Sequence, residues 1–222
     1  MTEPFLRRNL LAACLLGTLF AGALLNPDAR AVGAGACATT SISVDTSRAN
    51  TSVACFHGRG HGETFMAQDT LLRAISVWET AISPVADTSP RHLFIMAVDS
   101  TGRPIRTPLL LVGPTLVPTG FDGVHPLKDE FILDPPFALP KRGRYFFTIQ
   151  AECLSAFFLL ADTANSYADG KVWKTGPVSE CSVPGSAVTV EPPLDLIFEV
   201  QFCDTTTAAR RRTWGEVKTL YR

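Results

Sequence analysis

LDLIFEVQF, residues Leu194 to Phe202, decides how this chain is read. Leu194, Leu196, Phe198, Val200 and Phe202 alternate with Asp195, Glu199 and Gln201, and a period of two with one polar face is a half-buried antiparallel strand. Working outward, Tyr145, Phe147 and Ile149 fall on one face of a second strand. Leu93 to Val98 and Phe157 to Leu160 are apolar on both sides, which predicts central strands covered by a second sheet or by loops. Upstream, GETFMAQDTLLRAISVWE, Gly62 to Glu79, runs from a glycine-punctuated entry through an aromatic edge into a long apolar run.

From Val53 onward every strong signal is for strands. They are expected near 52–56, 63–67, 71–80, 91–99, 108–112, 130–133, 144–151, 154–161, 171–174, 187–190 and 194–202, separated by breakers such as Gly102 to Pro104, Gly113 with Pro114, and Pro135 with Pro136. Helices do not survive that density of breakers. Many short strands without alternating helices predict an all-β, two-sheet antiparallel sandwich of jelly-roll or immunoglobulin-like type, with a closed barrel as the alternative.

The first 31 residues have the layout of a secretory signal peptide: Arg7 and Arg8, an apolar core from Leu10 to Leu25, then small residues up to Ala31. An uncleaved anchor is the competing reading, and Gly17 and Gly22 within a short run weigh against it. Leu11 to Cys14 matches a lipoprotein cleavage box, but too few residues separate Arg8 from Cys14 for the apolar stretch such a box needs. Residues 32–51 read as a loose lead-in with one early strand, 52–204 as the sandwich, and 205–222 as a polar linker with an amphipathic tail. Asn50, Thr51 and Ser52 form a glycosylation sequon.

The chain of 222 residues carries 20 Lys and Arg against 21 Asp and Glu, a net charge of −1, so nothing electrostatic argues for nucleic acid or an anionic membrane surface. No run after Leu25 is long and apolar enough to span a bilayer. In an exported chain the cysteines read as disulfides, since none has zinc-pair spacing. Cys37 with Cys55 and Cys153 with Cys181 is the expected pairing, and Cys203 is able to replace either partner.

Several segments recur in a recognisable order: Gly62, Glu63, Thr64 and Phe65 with Leu72, Ile75 and Trp78 after them; Leu93 to Asp99 and Gly102; Phe137, Leu139, Gly143, Tyr145 and Phe147; Tyr167 with Gly170; and Asp195 to Val200. In that order they resemble exported bacterial beta-sandwich domains, jelly-roll and carbohydrate-binding-like, that read GQTF, then YxxG, then DLxF. The resemblance covers Gly62 to Phe202 and implies an accessory or surface module with no catalytic residues to carry over. Glu63 replaces the usual Gln, and there are extra cysteines, so the shared ligand does not follow.

Candidate binding residues are few. Trp173, on a short strand amid polar residues, is the candidate platform for a sugar ring, with Tyr167 in the turn before it, whereas Trp78 reads as core. Asp122, Asp129 and Glu130 in a long loop are candidate oxygen ligands for a structural calcium. His57, His61 and Glu63 are interleaved with Gly58, Gly60 and Gly62, which forbid the helix that would align them for zinc, so a solvated turn is the simpler reading. His92 and His125 are isolated. There is no Gly-x-Ser-x-Gly and no phosphate loop. Asp99, Asp122, Asp129, Glu130 and Asp134 are candidates to supply a carboxylate pair for glycoside hydrolysis, a reaction that needs a defined carboxylate separation.

In the tail, TWGEVKTLYR places Trp214, Val217, Leu220 and Tyr221 at helical spacing behind the basic run Arg210 to Arg212. So short a helix does not hold alone and must dock on something. The expectation is a secreted, non-catalytic module for binding or adhesion, to glycan or to a surface protein, without a cofactor apart from that calcium. The alternatives are an assembly protein docking through its tail, and a secreted glycoside hydrolase.

Overall fold

The computed structural model describes residues 37–81, 89–176, 183–190 and 192–203. The leader, Cys181, and the tail with Trp214, Val217, Leu220 and Tyr221 lie outside the described residues. In chain order the strands are β1 (Thr39–Ser43), β2 (Thr51–Phe56), β3 (Gly60–Ala67), β4 (Leu71–Glu79), β5 (Arg91–Ala97), β6 (Leu111–Leu116), β7 (Leu127–Ala138), β8 (Gly143–Ala151), β9 (Ala156–Asp162), β10 (Val172–Thr175), β11 (Ala187–Thr189), β12 (Asp195–Leu196) and β13 (Phe198–Cys203). A single 3-10 turn, Thr46–Arg48, is the only helical element among the described residues.

They form two antiparallel sheets packed on one another. One runs β1-β13-β4-β9-β12, with β2 also on β9 and β7 also on β4; the other runs β11-β10-β3-β8-β5-β6. The strand that decided the reading is in fact two. Ile197 donates its N–H to Leu160 O, so β12 pairs with β9 while β13 crosses to β4. Inward residues from both sheets make the core, in which Phe65 lies 6.2 Å, centroid to centroid, from each of Tyr145, Phe147 and Phe202. Each such ring contributes roughly 1.5–3 kcal/mol by leaving water.

The doubly apolar Leu93 to Val98 has the covering it required. Leu93 and Ile95 enter the main core, while Phe94 and Met96 pack with Phe146, Trp173 and Ala187 in a second cluster on the outer face of their sheet. In β9, by contrast, Phe157 and Leu159 are buried but Phe158 faces solvent. The lead-in supplies β1, whose register with β13 starts the sheet at Thr39.

Two boundaries differ for a physical reason. The strand expected at 108–112 begins at Leu111, and the one expected at 130–133 extends over Leu127–Ala138 through Pro135 and Pro136. Leu72 pairs with Phe137 and Ala74 with Ile132, so residues 133–136 bulge out opposite Arg73. Prolines are tolerated at a bulge on a strand paired along one side.

The expected Cys37–Cys55 bridge is not formed. Cys37 joins Cys203, with Cα atoms 5.2 Å apart, because β1 lies beside β13 and its start faces the end of that strand. Cys55 points into the core as a free thiol. Cys153 is disulfide-bonded. Cys181, its expected partner, lies outside the described residues.

Candidate functional site

Among the described residues, three clusters of buried polar side chains bear on function. Glu79, Arg91 and Asp129 point inward from β4, β5 and β7. Arg91 Nε and Nη2 donate to Glu79 Oε1 and Oε2 at 2.6 and 3.2 Å, Nη1 donates to Ser89 O at 2.7 Å, and the guanidinium lies 4.1 Å from the Phe157 ring centroid. Burial, then a hydrogen bond shared with Glu79 and its charge, push Asp129 up to about 8. At neutral pH Asp129 therefore keeps its proton and donates it to the Glu79 carboxylate.

The unfolded chain releases that proton near the ordinary value of 3.8, so between about pH 4 and 8 the folded state binds a proton the unfolded state lacks. This contribution is complete below pH 4 and is lost as pH rises through 8. Asp129→Asn, whose amide donates to Glu79 at every pH, is expected to flatten that loss and to be more stable than wild type at pH 8.5 by about 1–3 kcal/mol in urea unfolding. A variant less stable than wild type at pH 8.5 would count against a proton at this position. His61, lowered by burial to about 4, acts oppositely and removes stability as pH falls from its ordinary 6.5, so the two offset one another between about pH 4 and 6.5 and the net loss falls between about pH 6.5 and 8.

Beside the first group lie Cys55 and His61, with Sγ 3.6 Å from Nδ1. Burial raises the thiol to about 12 and lowers the imidazole to about 4, leaving both neutral. They pack; they are not a thiolate and imidazolium poised for attack.

The third group gathers the segments that carried the family resemblance. Glu63 Oε2 accepts from Leu196 N at 3.1 Å, Asp195 Oδ2 accepts from Tyr167 N at 2.6 Å, and Tyr167 Oη accepts from Met66 N at 3.0 Å. Tyr167 also meets Phe198 edge-on at 5.5 Å. A Cβ on Gly170 would lie 2.5 Å from Glu63 Oε1, and one on Gly62 would lie 1.8 Å from Phe147 O, so both glycines are close-approach positions. Burial raises Glu63 well above its ordinary value and raises Asp195 as well. GETF, YADG and DLIF thus meet in one buried knot that ties the two sheets together.

The candidate surface residues are placed differently from expectation. Trp173 is only 7% exposed, packed in the second apolar cluster with Lys171 Nζ 5.5 Å from its ring. Its backbone pairs with Gly62 across the sheet, and its ring is shut away from solvent in the cluster with Phe94, Met96 and Phe146, so it offers no face to a sugar. Tyr167 is held within the knot. The calcium trio does not converge. Asp122 is exposed, accepting from Val124 N and His125 N with His125 Nδ1 2.7 Å away, Asp129 is buried against Glu79, and Glu130 faces the other side of β7 beside Lys128. Successive residues of a strand point to opposite faces, which separates Asp129 from Glu130. No group of three or more His, Cys, Asp or Glu side chains suited to a metal exists among the described residues. Asp99 closes its own turn through Thr101 and Arg103. Asn50 is tied by its side chain to Asp162 and to Thr163 N.

One polar triad was invisible in the sequence. His92 Nε2 lies 3.0 Å from Glu152 Oε1, and Thr115 Oγ1 3.3 Å from His92 Nδ1. Its order of hydroxyl, imidazole and carboxylate matches a nucleophile's support, but Thr115 is exposed on a strand and the preceding Pro114 has no N–H to offer an oxyanion.

Two surface concavities among the described residues bear on function. A polar cleft of about 240 Å³ is formed by Ser43 at the end of β1, by Val44, Asp45 and Thr46 after it, by Glu199, and by Trp78. Trp78 faces outward on β4, partly exposed, with Lys128 Nζ 5.5 Å from its ring; the same ammonium lies 3.6 Å from Glu199 and 3.1 Å from Glu130. Asp45 accepts from Ser47 N at 2.8 Å, which holds its carboxyl below the ordinary range. The second concavity, about 320 Å³, is apolar and lies between β6 and β7. No protein-family model matches this chain, and no curated protein matches it.

Proposed function

We propose that this chain is an exported, non-catalytic β-sandwich module that binds a hydroxyl-rich ligand, a glycan of the cell surface or its surroundings, in the cleft beside Trp78. The observation that carries the reading is a partly exposed indole, packed on the core along one side and bordered in the cleft by the acceptors Asp45 and Glu199 and the hydroxyls Ser43 and Thr46. An indole offers a flat apolar face to the C–H face of a sugar ring, while carboxylates and hydroxyls take its hydroxyl hydrogens. The cleft has room for about one ring, so recognition is of a terminal or single exposed sugar.

Binding is favoured over hydrolysis by the electrostatics. A glycosidase needs one carboxyl whose proton is retained, and Asp45 is held in the opposite direction. Export is supported by the leader pattern together with the Cys37–Cys203 disulfide. No helix among the described residues is long and apolar enough to cross a membrane. The resemblance to exported bacterial sandwich domains agrees with such a role.

The test is a glycan array probed with the purified chain, with calcium and again with chelator. Trp78→Ala is expected to weaken binding about tenfold or more, the equivalent of one lost stacking contact of roughly 1–2 kcal/mol, and chelator to change nothing. No saturable binding by the wild-type chain under either condition would overturn the reading.

A further inference from the structure

The seam between the two sheets opens where β6 and β7, each paired along one side, face one another. The 133–136 bulge of β7 carries that strand's backbone out of register here, and Pro114, Pro135 and Pro136 remove three N–H donors from the walls. A groove so lined does not extend a backbone ladder easily; it accepts side chains. Val112 is 63% and Ile132 56% exposed, Leu111 and Phe137 form the floor, and Asp134 is the one ionisable residue among those lining it.

We propose that this groove is the docking site for the chain's own segment 213–222. Geometry brings the two together. Cys203, Leu71 and Ala138 stand in one row across β13, β4 and β7, so the point from which the chain leaves the sheet is two strand spacings, about 10 Å, from the groove's end. Residues 204–212 span up to about 30 Å when extended, enough to deliver Thr213 to any part of the seam. What they deliver fits. Trp214, Val217, Leu220 and Tyr221 supply large apolar groups to an apolar groove, and Arg210 to Arg212 precede them where Asp134 lies at the wall. A tether this short gives an effective concentration near the millimolar range, so the segment occupies its own groove in preference to that of a second molecule.

The docking is independent of the Trp78 cleft, on the outer face of one sheet. It is read by the rate at which trypsin cuts after Lys218 in the full-length exported chain. Ile132→Asp, at an exposed position, is expected to raise that rate about fivefold or more, as is adding excess free peptide of sequence 213–222. Val188→Asp, an exposed apolar position elsewhere, is expected to leave it unchanged. Thermal unfolding of each variant, and glycan binding by Ile132→Asp, separate loss of docking from loss of fold and from failure of the ligand reading. Equal rates in wild type and Ile132→Asp, or protection that rises with protein concentration as docking between molecules requires, would overturn the proposal.

Discussion

Replacing Arg91 with alanine is expected to lower stability by about 3–5 kcal/mol and the unfolding temperature by on the order of 10 °C. The effect comes less from lost attraction than from what is left behind. Glu79 is held by two guanidinium donors, with Asp129 protonated beside it, in the interior of the sandwich. Without the cation, a carboxylate faces apolar surroundings and must either stay charged at great cost or take up a proton itself. The contact of Arg91 with the Phe157 ring is lost as well. A second variant tests this cause. In Arg91→Met with Glu79→Gln no buried charge remains, and such double replacements are often near neutral, so most of the loss is expected to return. A loss under 1 kcal/mol in Arg91→Ala, measured by urea unfolding at pH 7, would mean that water reaches the site and that the pair is not buried in solution.

Removing the Cys37–Cys203 bridge by serine substitution at both positions is expected to cost about 2–5 kcal/mol, with the upper end set by the long loop it closes, a sequence separation of 166. The change also has a location. β1 exposes most of its side chains, so backbone pairing to β13 and the bridge are its main attachments. Amides of β1 are expected to exchange with solvent much faster in the variant, while β3, β5 and β8 keep their protection. Unchanged protection across Thr39–Ser43 would show that pairing alone holds the strand.

Much of this fold could be read from alternation. Tyr145, Phe147 and Ile149 face inward as their spacing predicts, and the two apolar faces of Leu93 to Val98 correctly signal cover on both sides. Where reading failed, an inward polar residue had broken the pattern. Glu79, Arg91 and Asp129 occupy core positions that only a partner across the sandwich makes tolerable, and pairing between distant strands leaves no trace in local sequence. Glu79 hid the orientation of Trp78: with Val77 and Glu79 at alternate positions pointing inward, Trp78 must point out, but a charged residue is not read as core. Trp173 misled in the opposite way, because its flanking lysines suggest a surface strand, whereas its ring is buried in the apolar cluster with Phe94, Met96 and Phe146. The spaced motifs were legible as a set, and their convergence around Glu63, Tyr167 and Asp195 explains why these residue types occur together. They hold the two sheets to each other, which is a statement about architecture rather than about a ligand.

The bond between Cys37 and Cys203 joins the first and last strands of the described domain at neighbouring points. A pull applied through the two ends therefore passes from one cysteine to the other across a single covalent link and bypasses the sheets. While oxidised, the sandwich would sit in a chain under tension as an unloaded bead, its strands spared the shear that would otherwise peel β1 from β13. Reduction would put those strands in the load path, so the domain's resistance to force is set by redox state rather than by the number of its hydrogen bonds.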